Sequence, residues 1–307
     1  MSKERNGAVR LLAAHETIFS CPVCGGRMTV IEGKSLRCGV GHNFDLAREG
    51  YLNLLTQAVK SKYDQTLFAA RKTVNENGLF DPIRGEIAGR IAEGAAPDIR
   101  RSGLRLLDAG CGEGSLLSGI RREVSGRTKG DLLAVGMDLA KEGVRLASKG
   151  DAEALWCAAD LAKAPFRAAS FDVILNILSP SNYAEFGRLL SGDGLLIKVV
   201  PEPNYLREIR RRLYAGTQRE AYSSRQAVER FRERFMLLDS RRLKYTWQLR
   251  PGLLEPLLDM TPLAWGAGKD RLREALAMEA DEVTVDVTVL YGRPIQPSTA
   301  GLRRPLI

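Results

Sequence analysis

The sequence is poor in the residues that staple or anchor a protein. Its 307 residues include five cysteines and two histidines, and no apolar run approaches the roughly 18 to 20 residues that cross a bilayer. The cysteines are odd in number and bunched, which argues against a disulfide framework and for an intracellular metal site. Three of the first six residues, Lys3, Glu4 and Arg5, are charged, and the apolar stretch from Ala8 to Ala14 is broken by Arg10 and too short for a secretory signal. A cytoplasmic protein is expected. Internal repeats and low-complexity tracts are missing too, and the composition sets aside collagen-like fibres and disordered tails.

What is present is an ordinary globular mixture, 44% hydrophobic and 27% charged, with a net charge of +9. A chain of this length forms one large domain or two to three unequal ones. The positive balance favours a polyanionic partner over a neutral small molecule. Residues 1–62 hold the cysteine cluster and many glycines, 63–103 read as a helical linker, and 104–307 read as the main domain. Within the last, a basic helical insert at about 205–243 precedes a β-rich end.

The main domain has an alternating rhythm. Leu104 to Ala109, Leu132 to Asp138, Glu153 to Asp160, Phe171 to Ile177 and Gly194 to Val200 are short apolar runs, with helix-like segments at 115–124, 141–149 and 183–190 between them. Strands alternating with helices give a parallel sheet covered on both faces, an α/β fold. Lys244 to Leu249 and Val283 to Tyr291 read as further strands, the second with the period-2 pattern of a half-exposed or edge strand.

Cys21, Cys24, Cys38 and His42 stand in the spacing C-x2-C-x13-C-x3-H. Zinc takes four tetrahedral thiolate or imidazole ligands, and four protein ligands leave no open position for water or substrate. A structural Zn2+ is therefore expected, substituting for a core that so small a module cannot build. A thioredoxin-like redox pair is the weaker reading, since no strand–helix context follows the first two cysteines. His15 lies outside the spacing.

At the end of the first strand of the main domain comes Asp108-Ala109-Gly110-Cys111-Gly112-Glu113-Gly114. Its G-x-G-x-G spacing departs from the dinucleotide fingerprint, which weakens a nicotinamide reading. Close-set glycines let a backbone approach a ligand and lead into a helix N-terminus; alone, they also suit a plain βα turn. Asp138 ends the second strand, where a carboxylate can hold both hydroxyls of a ribose. Asp160 ends the third, where it can accept from an adenine amino group. Either acid could instead cap a helix. All three features at successive strand ends fit one ligand crevice.

The combination resembles the Rossmann-like class of S-adenosylmethionine-dependent methyltransferases. Phe19 to Cys24, Cys38 to His42 and Phe44 to Leu55 further resemble the opening of the bacterial 23S rRNA (guanine-N1)-methyltransferases, the RlmA/TlrB family. Ala70-Arg71-Lys72, Gly78 to Ile83, Leu107 to Gly114, Pro201 to Leu206 and Met260 to Trp265 continue the likeness in order, so it spans about residues 17–292. The resemblance implies a zinc module beside a methyltransferase domain and methylation of N1 of a guanine in a hairpin loop of 23S rRNA. It implies zinc at Cys21, Cys24, Cys38 and His42, and an S-adenosylmethionine pocket including Gly110, Cys111, Gly112, Glu113, Gly114, Asp138 and Asp160, with Phe80 and Leu206 lining it. It also implies that two copies can pair to widen an RNA groove. The family usually has Tyr at the position of Phe80, and an aromatic residue where this chain has Leu178.

Methyl transfer from a sulfonium is an in-line displacement, so alignment supplies much of the rate. Guanine N1 must lose its proton. Asn176, Ser179 and Asn182, after the fourth strand, are placed to orient the base through hydrogen bonds; a plain polar loop is the alternative. Between Tyr205 and Arg250 there are thirteen Arg/Lys against five Asp/Glu, and residues 1–62 hold nine against five. These segments could form an RNA cleft, with Arg207, Arg210, Arg211 and Arg212 partly along one helical face, or simply a solvated face with internal ion pairs. Competing readings are a methyltransferase acting on another RNA or a small molecule, and a zinc-containing RNA-binding protein with an inactive cofactor pocket.

Overall fold

The computed structural model describes residues 3–59, 63–94, 103–217, 223–277 and 281–295. Helix α1 (Lys3–His15) turns Ala8 and Leu12 inward and leads into a small antiparallel sheet of β1 (Met28–Ile31), β2 (Ser35–Cys38) and β3 (Asn43–Asp45). β4 (Leu52–Asn53) leaves that sheet to join the large one. α2 (Gln65–Glu76) begins at Asp64, whose side chain accepts from Leu67 N, and α3 (Asp81–Gly94) follows. Both fall within residues 63–103, of which 95–102 lie outside the described residues, and Val74, Ile83 and Ile87 pack in one cluster with Leu106 and Ile120.

The alternating core then runs β5 (Leu104–Ala109), α4 (Ser115–Arg127), β6 (Leu132–Asp138), α5 (Lys141–Gly150), β7 (Leu155–Ala158), β8 (Phe171–Ile177), α6 (Tyr183–Leu189) and β9 (Leu190–Pro201). It continues through α7 (Arg207–Tyr214), α8 (Arg225–Arg234), β10 (Phe235–Gln248), α9 (Leu254–Met260), α10 (Lys269–Leu276) and β11 (Glu282–Pro294). The sheet order is β10-β11-β9-β8-β5-β6-β7-β4. From β4 to β9 neighbours run parallel, and β11 is antiparallel to both β9 and β10. The strand order reverses beside β5, between it and β8. In an open α/β sheet that reversal opens a ligand crevice at the carboxyl ends of the strands.

Burial on both faces explains why β5, β6 and β8 are mostly apolar in the sequence: apart from Arg105, Leu132, Asp138 and Asp172 their residues are buried. Two strand expectations need correction. Val283 to Tyr291 is neither half-exposed nor an edge, because β11 lies between β9 and β10 and is buried along most of its length. Its alternate polar residues are satisfied internally. Thr284 donates to Glu208, and Asp286, fully buried, accepts from Arg242 and Asn204. The edge is β10, which starts at Phe235 rather than Lys244, so the basic insert is helical only to Arg234. The long ladder to β11, from Phe235↔Pro294 to Gln248↔Glu282, holds residues 235–243 extended.

The cysteine-rich segment does not stand apart from this core. Ile18, Phe19, Met28 and Leu36 share one apolar cluster with Leu107, Val135 and Phe166. The Phe19 ring lies 5.4 Å from Phe166, and backbone hydrogen bonds join Ser20 N to Pro165 O and Arg167 N to Ile18 O. A boundary at residue 62 thus falls after β4, which already belongs to the large sheet.

Candidate active site and metal centre

The four metal-ligating side chains converge. Their ligand atoms all lie within 4.8 Å of one another, with Cys24 Sγ 3.7 Å from Cys38 Sγ, and His42 Nδ1 3.5 Å from Cys21 Sγ and 3.4 Å from Cys38 Sγ. Tetrahedral zinc with ordinary bond lengths requires about 3.8 Å between sulfurs and about 3.5 Å between sulfur and nitrogen. The residues fit the ion. Two tight turns create the geometry: Gly25 N donates to Cys21 O, and Gly41 N to Cys38 O, with both glycines at positive φ.

The second site lies at the strand-order reversal. After β5, Gly110 N and Cys111 N both donate to Met137 O, and Gly112 N donates to Asp138 Oδ2 over 2.8 Å. Asp138 Oδ1 accepts from Ala140 N, which fixes the carboxylate at the start of α5. At Gly110, φ is +95° and a Cβ would lie 2.0 Å from Ser179 Oγ. The turn after β8 therefore rests directly on the glycine loop. At Gly114 a Cβ would strike Trp156 and Ala147 at 2.6 Å, so this glycine serves packing behind the loop.

Three acids crowd here. Asp108 is buried, its Oδ1 has no hydrogen-bond partner among the described residues, and burial, with the nearby Asp138 and Glu113 charges, pushes its carboxyl up to about 8. Burial also raises Asp138 and Glu113, against opposing hydrogen bonds and the Arg71 guanidinium. Burial raises the Cys111 thiol as well, which suits a small loop residue and not a nucleophile. Arg71, on α2, reaches over the loop: a Cβ on Gly112 would lie 3.1 Å from its Nη1, and its Nη2 donates to Met260 O. A cavity of about 700 Å³ opens beside Asp138, lined by Asn53, Leu55, Tyr63, Gln65, Leu139 and Lys141.

The other expected site residues divide. Glu113 turns away from the crevice, accepting from Asn75 Nδ2 over 2.7 Å and from Ser115 N. Asp160 is exposed and caps a short turn through Ala162 N. Phe80 and Leu206 are buried in the apolar core, Leu206 completely. Asn176 requires correction. It is fully buried, its Nδ2 donates to Ala109 O and Pro180 O, and its Oδ1 accepts from Lys198 Nζ and Ser181 Oγ. With every hydrogen-bonding position taken, it secures the turn and has none left for a base. Asn182 caps α6 through Glu185 N. Asp108, Arg71 and Lys198 were not singled out from the sequence. Asp108 was legible as the acid two residues before the first loop glycine, and Lys198 as a lone charge in an apolar strand.

The basic segment is also partly neutralised. Arg210 is buried, so the expected four-arginine face loses one member, while Arg207, Arg225, Arg241 and Arg242 pair with Glu208, Glu229, Glu86 and Asp286. Arg211, Arg212, Arg230, Arg232, Arg234 and Lys244 are exposed and enter no ion pair among the described residues.

Residues 19–62 match the family model of the RlmA N-terminal zinc ribbon, and residues 107–197 match that of a methyltransferase domain. Over 279 residues the chain is 44% identical to YxjB of Bacillus subtilis (strain 168), a provisionally named 23S rRNA (guanine-N(1)-)-methyltransferase, covering 90% of this chain and 97% of that protein. It is 30% identical over 282 residues to the 23S rRNA (guanine(748)-N(1))-methyltransferase of Streptomyces fradiae, covering 90% and 96%. No helix among the described residues is long and apolar enough to cross a membrane.

Proposed function

The chain belongs to the 23S rRNA (guanine-N1)-methyltransferase family, and from that premise we infer that it transfers a methyl group from S-adenosylmethionine to N1 of a guanine in a hairpin loop of 23S rRNA. The observation that carries this reading is the buried Asp108 oxygen left without a partner beneath the glycine loop, at the reversal of strand order. An uncompensated buried acceptor calls for a donor. The ammonium of a methionine moiety is such a donor. Asp138 would hold the ribose, the Gly110–Gly114 backbone would border the sulfonium, and Arg71 would face the carboxylate. Bound S-adenosylmethionine supplies an electrophilic methyl group.

The chain's own residues contribute alignment and exclusion. Ser179 and Pro180, pinned by Asn176 and Lys198, rest on the loop and form a fixed wall beside it, against which an acceptor would be aligned with the donor. A guanine in a loop must leave its stack to enter. The unpaired arginines of α7 and α8 are suited to RNA phosphates, and the zinc ribbon offers its exposed tips, Val23 and Val40, on the other side of the chain's sequence. The resemblance further implies that two copies pair to widen the groove, which sedimentation at micromolar concentration tests.

Incubation with unmodified 23S rRNA and labelled donor, followed by mass mapping, tests the whole reading. A single N1-methylguanine in a hairpin loop is expected. Transfer to a different base or atom, or to small acceptors alone, would overturn it.

A further inference from the structure

Lys198 is an anomaly within this fold. It sits in the middle of the otherwise apolar run Leu195 to Val200 and is 5% exposed. Lysine is rarely buried without a partner of opposite charge. Yet no carboxylate among the described residues pairs with it: Nζ donates to Asn176 Oδ1 at 2.6 Å and to Ser179 O at 2.8 Å, both neutral acceptors. An ammonium has three donors, and these bonds use two.

Its location is equally specific. Lys198 pairs with Asn176 in the β8–β9 register, immediately before the Leu178–Ser181 turn that rests on Gly110. Leu178 holds a left-handed φ of +50°, a conformation that a non-glycine residue keeps only where its surroundings impose it. Here they do. Leu178 N donates to Val199 O, Asn176 Nδ2 to Pro180 O, Ser181 Oγ to Asn176 Oδ1, and Lys198 to Ser179 O. The lysine is the one charged member of this network.

We propose that Lys198 is a positioning residue for the acceptor base: its buried ammonium holds the Leu178–Ser181 turn and lends the acceptor pocket a positive potential that favours loss of the guanine N1 proton. The inference rests on the methyltransferase reading given above. In the reaction the N1–H bond breaks with its proton passing to solvent, the N1–carbon bond forms, and the carbon–sulfur bond breaks with its electron pair remaining on sulfur. Negative charge that gathers on the guanine before transfer is thus stabilised by a fixed charge that costs no reorganisation. Arg71, the cation over the glycine loop, acts on Asp138 and Glu113 and would be taken up by the donor's carboxylate. On this side of the sheet Tyr183 of α6 and Arg230 of α8 interact with each other. Glu202, just past the end of β9, is held by Thr288 and Ser224. Across β8, Asp108 lies beneath the glycine loop and works against it. Burial brings the Lys198 ammonium down to about 8, which leaves it mostly charged at neutral pH.

The test is single-turnover methyl transfer to unmodified 23S rRNA between pH 6 and 9.5, with Lys198→Met and Lys198→Arg beside the wild type. A charge acting over about 10 Å at an effective dielectric of about 20 moves a titration by about one unit, or tenfold. K198M should therefore be about tenfold slower at pH 7, with the rate midpoint displaced about one unit upward and the gap closing at high pH. K198R, charged throughout, should keep its midpoint at or below that of the wild type. A K198M deficit that is the same at every pH, or no deficit, overturns the inference, as does an upward midpoint in K198R. If K198M no longer binds S-adenosylhomocysteine, the K198R midpoint decides alone. A wild type that methylates no guanine N1 overturns the enzymatic reading and this inference together; the variant outcomes bear on Lys198 only.

Discussion

Replacing Gly110 by alanine separates two contributions to the active-site loop. The residue sits at φ +95°, and a Cβ there would lie 2.0 Å from Ser179 Oγ and 2.8 Å from Ser179 Cβ. A left-handed backbone costs an L-residue about 1–2 kcal/mol. Displacing Ser179 costs about 1–3 kcal/mol more, since overpacking must shift neighbours and this turn is bonded to Lys198 and Asn176. The sum, about 2–5 kcal/mol, corresponds to a fall in Tm of about 3–8 °C for a chain of this size. Part of the loss should appear in binding, because the same contact sets the gap between loop and turn. Thermal melts and calorimetry with S-adenosylhomocysteine on Gly110→Ala, Ser179→Gly and the double variant measure both. Ser179→Gly removes the clash but not the strained φ, so the double variant should regain roughly the packing half of the loss. A G110A protein with unchanged Tm and affinity, or a double variant with no recovery, would refute the reasoning.

Asp108 should link cofactor binding to protons. Its carboxyl is raised to about 8, so it is largely protonated in the free protein at pH 7; an ammonium partner would ionise it, and binding should release up to about one proton. Calorimetric heats should then vary with buffer ionisation enthalpy, and should not in Asp108→Asn; buffer-independent heats in the wild type would sink the idea. The same raised value destabilises the unliganded fold as pH climbs. Its contribution is fully present below the unfolded carboxylate range and is lost as pH rises through about 8, so Tm should decline between pH 5 and 8 less steeply in D108N than in wild type. Chelation of zinc should lower the Tm of the whole chain in a single transition, because Phe19 and Met28 share a cluster with the main sheet; an independent second transition would contradict that shared core. RNA affinity should fall steeply with salt: about six phosphate contacts give a log–log slope near −4, and Arg211→Glu with Arg212→Glu should flatten it by roughly one or two. A slope near zero would remove the basic face from binding.

The parallel half of the sheet was legible because burial on both faces writes itself as continuous apolar runs. β5, β6 and β8 begin and end where Leu104 to Ala109, Leu132 to Asp138 and Phe171 to Ile177 do. The antiparallel half was not legible in the same way. Thr284 and Asp286 look like solvent-facing positions, and only the structure shows Glu208, Arg242 and Asn204 arriving from other elements to satisfy them. The zinc ligands were legible from local spacing, since both tight turns lie within a few residues of the cysteines. Asn176 was misread for the opposite reason. Its position at a strand end was right, but its four partners come from Ala109, Pro180, Ser181 and Lys198, and no local pattern announces a saturated amide. Arg210 likewise shares a helix with exposed arginines yet points inward, donating to Tyr205 O.

The route from the zinc ribbon to the catalytic crevice gives the shared core a functional consequence. The ribbon's chain does not end in a loose tether. It becomes β4, pairs Leu52 with Cys157 and Asn53 with Ala158, and continues with Leu54 N bonded to Ala158 O at the carboxyl end of β7. From there Leu55 reaches the wall of the cavity beside Asp138. Any displacement of the ribbon by a bound partner must either strain this ladder or move with it. Parallel-strand hydrogen bonds and a common apolar cluster make straining the ladder the costlier course. The ribbon and the crevice are consequently held at one fixed separation, so an RNA that bound the ribbon would offer the crevice only those bases that lie at that reach. Selection of one guanine among many can thus follow from geometry set by β4, without a base-specific contact at either end.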